Sequence, residues 1–396
     1  MTRLHRLWNR ILIAIFVVTI VTPGVATIVG IDRPTSRDEN RELAHLPALR
    51  FDATSLRALP DAFTRYFEDN FSFRTRLVRW QAAFRFRELR VSPSPTVIAG
   101  KDGWLFYADD GAVEDFTDST PFTTAELEAW RLTLEHTRDW LAQRGIHYLF
   151  VIAPDKHAIY PDLMPAAMHR LGADSRTDQL VRYLAATSSV TVVDLRAALI
   201  AERDRERLYH RTDTHWNDLG AWTAYREIVT RLDMSSVRAT PRAAFDERDV
   251  MTGGMDLAGM VGLKDVLTEE DLRLVPRAGR AARVLEPQNA DSQLMYDRVV
   301  TEHPDRRLPR AVVFRDSFAS AVIPFLSEHF SRAVYLWQNN FDPETIEQER
   351  PDVVIQEWVG RHLNNQWPYD AVADLPKTAP VQKASAGLTR IVTAPR

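Results

Sequence analysis

The longest apolar stretch of the chain lies near its N-terminus. No charged residue occurs from Ile11 to Ile31, whereas Arg3, Arg6 and Arg10 precede this stretch. A helix of about 20 apolar residues crosses a bilayer, and basic residues stay on the cytoplasmic side. The pattern predicts a single-pass anchor in residues 1–31, with the rest of the chain outside the cytoplasmic membrane. A cleaved signal peptide is the alternative, because residues 24–26 are small enough for a cleavage site.

The next sixty residues change from polar to amphipathic. Residues 32–58 are polar and contain two prolines, which is typical of a linker. Residues 59–90 carry aromatic side chains at helical spacing, which predicts one or two amphipathic helices. We therefore interpret residues 32–91 as a linker and helical stem.

From about residue 92 onwards, apolar stretches alternate with helical patterns. Five short apolar stretches have the length of buried strands: residues 147–152, 190–193, 311–314, 333–337 and 353–356. Helical spacing occurs at residues 124–143, 177–186, 218–232, 318–330 and 343–349. This alternation predicts an α/β domain over residues 92–370, with a mostly parallel sheet flanked by helices. Residues 241–300 show no regular pattern, and residues 371–396 read as a C-terminal tail.

Composition narrows the classes of function. The net charge is -4 and the arginines are scattered, so we expect no nucleic-acid partner. The chain has no cysteine, which excludes disulfides, thiol catalysis and cysteine metal sites.

The segment around Asp213 and His215 is the first candidate for chemistry. An Asp two residues before a His can accept a hydrogen bond from the imidazole ring and increase the basicity of the other ring nitrogen. A surface turn capped by Asp213 is one alternative. A metal site with His210, Asp213 and His215 is another, but His210 and His215 do not share the helical spacing typical of such ligands. We expect no metal.

Ser317 is the second candidate. It follows the predicted strand 311–314 and opens the predicted helix 318–330, where a backbone N–H can stabilise an oxyanion. The alternative is that Asp316 or Ser317 is simply the helix N-cap. Asp213, His215 and Ser317 together supply the residue types of a Ser-His-Asp triad, which is recognised by geometry and not by chain order.

Five further residues are candidates for contacts with a substrate. Lys156 follows the predicted strand 147–152, at the carboxyl end where α/β proteins usually bind their ligands. The other four lie within or beside the motifs described above and below: Tyr107, Trp216, Asn217 and Arg315.

Several of these segments, in this order, resemble the alginate O-acetyltransferase family (AlgJ/AlgX-like) of the SGNH-hydrolase superfamily. The resemblance spans roughly residues 38–363. It is carried by residues 69–74 (DNFSFR), 100–107 (GKDGWLFY), 154–156 (PDK), 159–161 (IYP), 213–217 (DTHWN), 316–318 (DSF) and 351–355 (PDVVI). Each segment alone is common, and their shared order makes the resemblance specific.

The resemblance implies an SGNH-like fold in an exported enzyme that acetylates a polysaccharide. It implies that Asp213 and His215 are the catalytic Asp and His of the triad, with His215 as the base and Asp213 as the residue that stabilises it. It also implies that Ser317 is the nucleophile, which forms an acetyl-serine. It also implies a membrane-bound O-acyltransferase as the acetyl supplier, no cofactor, and an inner-membrane protein with a periplasmic catalytic domain. One departure stands out: the family often has Gly-Asp-Ser at the nucleophile, and here Arg315 replaces the glycine.

Three other functions fit the same residues. A carbohydrate acetylesterase would use the same triad with water as the acceptor. A catalytically silent member would bind glycan without turnover that depends on Ser317. A metal-dependent hydrolase would lose its activity when a chelator is added.

Overall fold

The computed structural model describes residues 3–31, 42–286 and 298–373. The chain divides into two compact units, Met1–Pro93 and Ser94–Arg396. Part of the predicted linker (residues 32–41) and most of the predicted tail (residues 374–396) lie outside the described residues.

In the described residues, the first unit contains three helices. They are α1 (Arg3–Val29), α2 (Ala53–Asn70) and α3 (Arg74–Arg87). Within the described residues, the segment His5–Val29 of α1 is long and apolar enough to cross a membrane. Helices α2 and α3 lie where the spacing of residues 59–90 predicts one or two helices. The predicted linker is wrong from Ala53 onwards, because the carboxylate of Asp52 accepts a hydrogen bond from the backbone N–H of Ser55 (2.8 Å) and starts α2 there.

The second unit contains the strands. In chain order they are β1 (Val97–Ala99), β2 (Leu105–Tyr107), β3 (His147–Ala153), β4 (Val192–Asp194), β5 (Phe245–Gly253), β6 (Thr268–Pro276), β7 (Arg283–Glu286), β8 (Val299–Glu302), β9 (Arg310–Arg315), β10 (Arg332–Trp337) and β11 (Val353–Val359). In the described part of the chain, a seven-stranded sheet has the order β4-β3-β11-β9-β10-β8-β7. Strands β4, β3, β11, β9 and β10 pair in parallel. Strand β8 pairs antiparallel with β10, and β7 pairs antiparallel with β8. The α/β prediction is confirmed, with a mixed sheet.

Helices cover both faces of this sheet. They are α4 (Ala112–Thr117), α5 (Thr124–Ala142), α6 (Lys156–Ile159), α7 (Arg176–Thr187), α8 (Arg196–Arg203), α9 (Asp218–Leu232), α10 (Asp256–Met260), α11 (Ile323–Leu326) and α12 (Pro343–Glu349). Alternate residues of β3 enter two separate cores: Leu149 and Val151 pack with α9, and Phe150 and Ile152 pack with α5 and α7. Burial on both faces explains why β3 is apolar without a break.

The prediction that residues 241–300 are irregular is wrong. Strands β5 and β6 form a nine-residue antiparallel ribbon, in register from Phe245 opposite Pro276 to Gly253 opposite Thr268. Most side chains of β5 are exposed and many are charged, so the alternation that marks a half-buried strand is missing from the sequence.

The predicted helix 318–330 is also wrong as a single element. A 3₁₀ turn at Phe318–Ala321 leads into the one-turn helix α11, and a second 3₁₀ turn follows at Ser327–His329. Pro324 supplies no backbone N–H and stands in the first turn of α11. Ser317 therefore precedes a short 3₁₀ turn, where the dipole of a long helix is not available.

Candidate active site

The predicted catalytic residues meet at the carboxyl edge of the parallel strands. Ser317 follows β9, and residues 208–217 form the loop before α9. The ring of Phe318 joins the two segments, with its centroid 4.9 Å from that of His215 and 5.1 Å from that of Trp216. Phe318 is fully buried, so the turn that carries Ser317 is packed directly against the loop that carries His215.

Asp213 and His215 form the pair that the sequence predicts. One carboxylate oxygen of Asp213, Oδ1, accepts hydrogen bonds from the backbone N–H of His215 (2.9 Å) and from its ring Nδ1 (2.6 Å). Burial opposes ionisation of Asp213, but the hydrogen bond from His215 outweighs it and holds the pKa of Asp213 well below its usual range. Burial likewise opposes protonation of His215, and the bond and charge of Asp213 outweigh it and raise the pKa of His215.

The other ring nitrogen of His215 is set up to accept a proton. With the Nδ1 proton directed at Asp213, Nε2 carries the lone pair. Nε2 is buried and has no hydrogen-bond partner within the described residues. Ser317 is half-buried, and its hydroxyl makes no hydrogen bond in that same part of the chain. The structure thus brings Ser317 and His215 to one site without a direct bond between them.

The backbone around Ser317 is held by Asp316. The carboxylate of Asp316 accepts hydrogen bonds from the backbone N–H of Phe318 (2.9 Å) and of Val359 (2.7 Å), which lies in β11. The backbone N–H of Asp316 donates to Glu357 Oε2 (3.0 Å). Ser317 makes no side-chain cap bond, so Asp316 caps the 3₁₀ turn and leaves the serine hydroxyl available.

Arg315 is buried and directed at neighbouring residues of the domain. It is fully buried, with its guanidinium 4.8 Å from the ring centroid of Trp337. Nη1 donates hydrogen bonds to Ser320 Oγ (2.9 Å) and to the backbone carbonyl of Asp316 (3.3 Å). Arg315 thus joins Asp316 and Ser320, which lie on the two sides of the turn that carries Ser317.

Lys156 lies beneath the loop that carries Asp213. Its buried ammonium donates hydrogen bonds to the backbone carbonyls of His210 (2.9 Å), Arg211 (3.2 Å) and Asp213 (2.6 Å). Burial lowers the pKa of Lys156 to about 7. These contacts make Lys156 a support for the loop, and they occupy the nitrogen that was expected to contact a substrate.

Trp216 and Asn217 are also parts of the scaffold. Trp216 is buried between the rings of Tyr209 and Phe318. Asn217 caps α9 by accepting a hydrogen bond from the backbone N–H of Gly220 (3.1 Å), and its amide donates to the carbonyl of Arg207 (2.7 Å). Neither side chain reaches the surface of the site.

Tyr107 stands beside an arginine that the sequence analysis missed. The guanidinium of Arg361 lies 5.3 Å from the ring centroid of Tyr107 and 5.7 Å from that of Phe318. Arg361 Nη1 donates to Asp155 Oδ1 (2.7 Å) and its backbone N–H to Asp155 Oδ2 (2.9 Å). In the described residues, Nη2 of Arg361 donates no hydrogen bond. The available signal was its position just after β11, at the same sheet edge as Ser317.

Asp256 is a second residue that was missed. It accepts hydrogen bonds from the backbone N–H of Thr214 (2.8 Å) and of Leu257 (2.5 Å), and its Oδ2 lies 3.9 Å from His215 Nδ1. Burial and the charge of Asp213 raise the pKa of Asp256. Asp256 follows two glycines at residues 253–254, which the sequence shows only as a turn.

The site also bears on the metal alternative. Ligand atoms of Asp213, His215 and Asp256 lie within 4.8 Å of one another, which is close enough to hold an ion. His210, which that alternative had included, instead directs its Nδ1 towards Asp271 Oδ2 at 3.5 Å. His215 Nδ1 is already engaged by Asp213. The absence of a metal stays a prediction.

Fold and residues together define the class. An α/β sheet with a Ser after one strand and an Asp-x-His loop at the same edge is the arrangement of an SGNH-hydrolase-like domain. Residues 97–299 match the family model described as "SGNH hydrolase-like domain, acetyltransferase AlgX". This match covers half of the chain, and the protein belongs to that family.

Similar proteins carry related names. "Probable alginate O-acetylase AlgJ" of Pseudomonas aeruginosa is 30% identical over 190 residues, which cover 46% of this chain and 44% of the relative. The protein of the same name from Azotobacter vinelandii is 23% identical over 327 residues, 76% of this chain and 78% of the relative. The chain thus spans less than half the length of the Pseudomonas aeruginosa relative. The structure of Bacillus cereus PatB1 has the same fold, with a TM-score of 0.51 and 16% identity over 68% of this chain and 97% of PatB1.

Proposed function

We propose that this protein is an O-acetyltransferase that places acetyl groups on hydroxyls of an exported, alginate-like polysaccharide. The observation that carries the proposal is the Asp213–His215 bond of 2.6 Å, which leaves Nε2 of His215 without a partner in the described residues, next to the turn of Ser317. Family membership and the names of the relatives are the reason for choosing acetyl as the transferred group and a polysaccharide as the acceptor.

The chemistry runs in two acyl transfers. His215 Nε2 takes the Ser317 proton while Oγ attacks the acetyl carbonyl, and the donor leaves with the proton that His215 returns. His215 then takes a proton from a sugar hydroxyl, which attacks the acetyl-serine and releases Ser317 Oγ, reprotonated by His215. Asp213 keeps the Nδ1 proton in place and stabilises the imidazolium in both steps.

The negative oxygen of each tetrahedral intermediate needs donors. We assign one to the backbone N–H of Ser317, in the manner of other serine acyltransferases and hydrolases. Arg361 adds a fixed positive charge to the site, because Asp155 and the rings of Tyr107 and Phe318 hold its guanidinium. Its Nη2 is a candidate for contact with the acceptor or the oxyanion.

The cellular arrangement follows from α1 and the family. We propose that α1 anchors the protein in the inner membrane with the second unit in the periplasm, where an exported polysaccharide is within reach. A membrane-bound O-acyltransferase would supply acetyl groups from the cytoplasmic side.

The decisive experiment follows the acetyl group. The purified protein should form a Ser317-linked acetyl adduct with an activated acetyl ester, visible as a mass increase on the peptide that contains Ser317. Adding a polyuronate oligosaccharide should move acetyl to the sugar. Ser317→Ala should lose both signals by several orders of magnitude, whereas the surface control Ser189→Ala should keep them.

Other results of this experiment would support one of the three alternative functions. Acetate release without transfer to any oligosaccharide would establish an acetylesterase that uses the same triad. Glycan binding without a Ser317 adduct would establish a silent binding member. Loss of activity in a chelator, with recovery in zinc, would make Asp213, His215 and Asp256 metal ligands.

A further inference from the structure

Helix α3 has an unusual composition for a stem. It contains five arginines and no acidic residue: Arg74, Arg76, Arg79, Arg85 and Arg87. Three large apolar residues, Leu77, Trp80 and Phe84, are spaced three and four apart and therefore lie on one side of the helix. They are exposed to 49%, 79% and 55%. A soluble protein rarely leaves such a stripe uncovered.

The opposite side of α3 is less exposed than this stripe. Ala82 is 4% exposed, and Phe86 is half-buried. The helix therefore packs through one side, and the stripe of Leu77, Trp80 and Phe84 on the other side stays exposed.

The position of α3 relative to α1 indicates what covers this stripe. The backbone N–H of Ser72, two residues before α3, donates a hydrogen bond to Thr27 Oγ1 of α1 (2.8 Å). Thr27 lies two residues before the end of α1, about 3 Å along its axis. Ala26 is buried there as well. Helix α3 therefore begins beside the outer end of the apolar helix, at the depth where a membrane ends if α1 spans it.

We infer that α3 lies on the outer surface of the membrane, with Leu77, Trp80 and Phe84 in the acyl boundary and its arginines among anionic headgroups. This inference rests on the membrane placement of α1 proposed above. Tryptophan prefers the membrane interface, and burial of exposed apolar side chains adds to the attraction of basic residues for anionic lipids.

The absence of cysteine makes a direct test available, because one introduced cysteine labels one position. The full chain carrying Trp80→Cys, Leu77→Cys or Phe84→Cys is labelled with an environment-sensitive fluorophore. It is then placed in vesicles of phosphatidylcholine and phosphatidylglycerol. Nitroxide groups on the lipids should quench these three probes, and aqueous iodide should not. Ala83→Cys, off the stripe, should be quenched less by the lipids.

A probe at Phe16→Cys, in the middle of α1, separates the two proposals. If lipid nitroxides quench Phe16→Cys but iodide reaches the stripe, α1 spans the membrane and the inference about α3 is wrong. If iodide reaches Phe16→Cys, the membrane placement itself fails and the inference falls with it. Protection of the stripe from both quenchers would show a protein contact, such as a second copy, and would overturn a lipid occupant.

The arginines give a second readout. In Arg76→Gln/Arg87→Gln, the ratio of lipid-shielded to water-exposed probe at Trp80→Cys should fall by roughly fivefold for each arginine removed. The same fall should occur for the unmodified helix when phosphatidylglycerol is left out. If the ratio is unchanged in both cases, the arginines do not bind anionic headgroups, and that part of the inference is wrong.

Discussion

Under the proposed function, the bond between Asp213 and His215 determines the pH range in which the protein is active. A general base must be neutral, and the hydrogen bond and charge of Asp213 raise the pKa of His215 in spite of its burial. Activity should therefore rise with pH, with a midpoint above the value of about 6.5 for free histidine. The measurement is kcat/KM for an activated acetyl ester between mildly acidic and mildly basic pH.

Asp213→Asn is the matched control for this profile. Asparagine cannot supply the negative charge, so the ascending part of the profile should move to lower pH while the rate falls sharply. The loss should not add to that of Ser317→Ala, because the two residues act as one unit. If the pH profile of the Asp213→Asn variant is the same as that of the unaltered protein, His215 is not the general base.

Lys156 permits a prediction about stability. Replacing it with methionine removes three hydrogen bonds and leaves buried carbonyls of His210, Arg211 and Asp213 without a donor. Lys156→Met should lower the free energy of unfolding by about 2–4 kcal/mol and reduce kcat, because the loop of His215 loses its support. Denaturant unfolding measures the first effect. Lys101→Met, at an exposed lysine, should change stability by about 0.5 kcal/mol or less.

At the residue scale, the sequence predicts what lies close along the chain. The two-residue spacing of Asp213 and His215 is enough to predict their bond, and Ser317 is visible from the strand before it. Arg361 and Asp256 reach the site from distant segments. Only the sheet order that places β11 beside β9, and the hydrogen bond from Thr214 to Asp256, bring them there.

At the scale of elements, β9 and β11 together fix the position of the turn that carries Ser317, the proposed nucleophile. Asp316 links Phe318, in the turn after β9, to Val359 in β11 through its two carboxylate oxygens. Asp316→Ala should lower kcat by about 10²-fold, because a displacement of about 1 Å at the nucleophile costs that much. The free energy of unfolding should fall by about 1–3 kcal/mol.

The conservative variant separates position from charge. Asp316→Asn keeps one oxygen for Phe318 or Val359 and should retain more activity than Asp316→Ala. If both variants lose only stability and keep kcat in the remaining folded protein, the turn does not depend on Asp316.

Helices and strands could be predicted where burial requires apolar residues at regular positions. Strand β3 is apolar because both of its faces are covered, and α5 begins at a capping box of Thr123 and Glu126. The ribbon of β5 and β6 gave no such pattern, since its stability comes from backbone pairing and from charged residues buried on β6, such as Glu269. The division of the predicted helix 318–330 into short turns depends on tertiary packing, which the spacing of its apolar residues does not show.

For the whole molecule, orientation in the membrane is the prediction that connects the fold to its substrate. Arg6 and Arg10 precede the core of α1 by a few residues, and such charges keep the N-terminus in the cytoplasm. A phosphatase that is active only outside the cytoplasm should therefore work when fused after Arg396, and a fluorescent protein that matures only inside should stay dark there. Fused before Met1, the two reporters should behave in the opposite way. Replacing Arg3, Arg6 and Arg10 with glutamate should weaken this asymmetry. A bright fluorescent fusion at Arg396 of the unaltered chain would place the site of Ser317 in the cytoplasm, away from any exported polysaccharide.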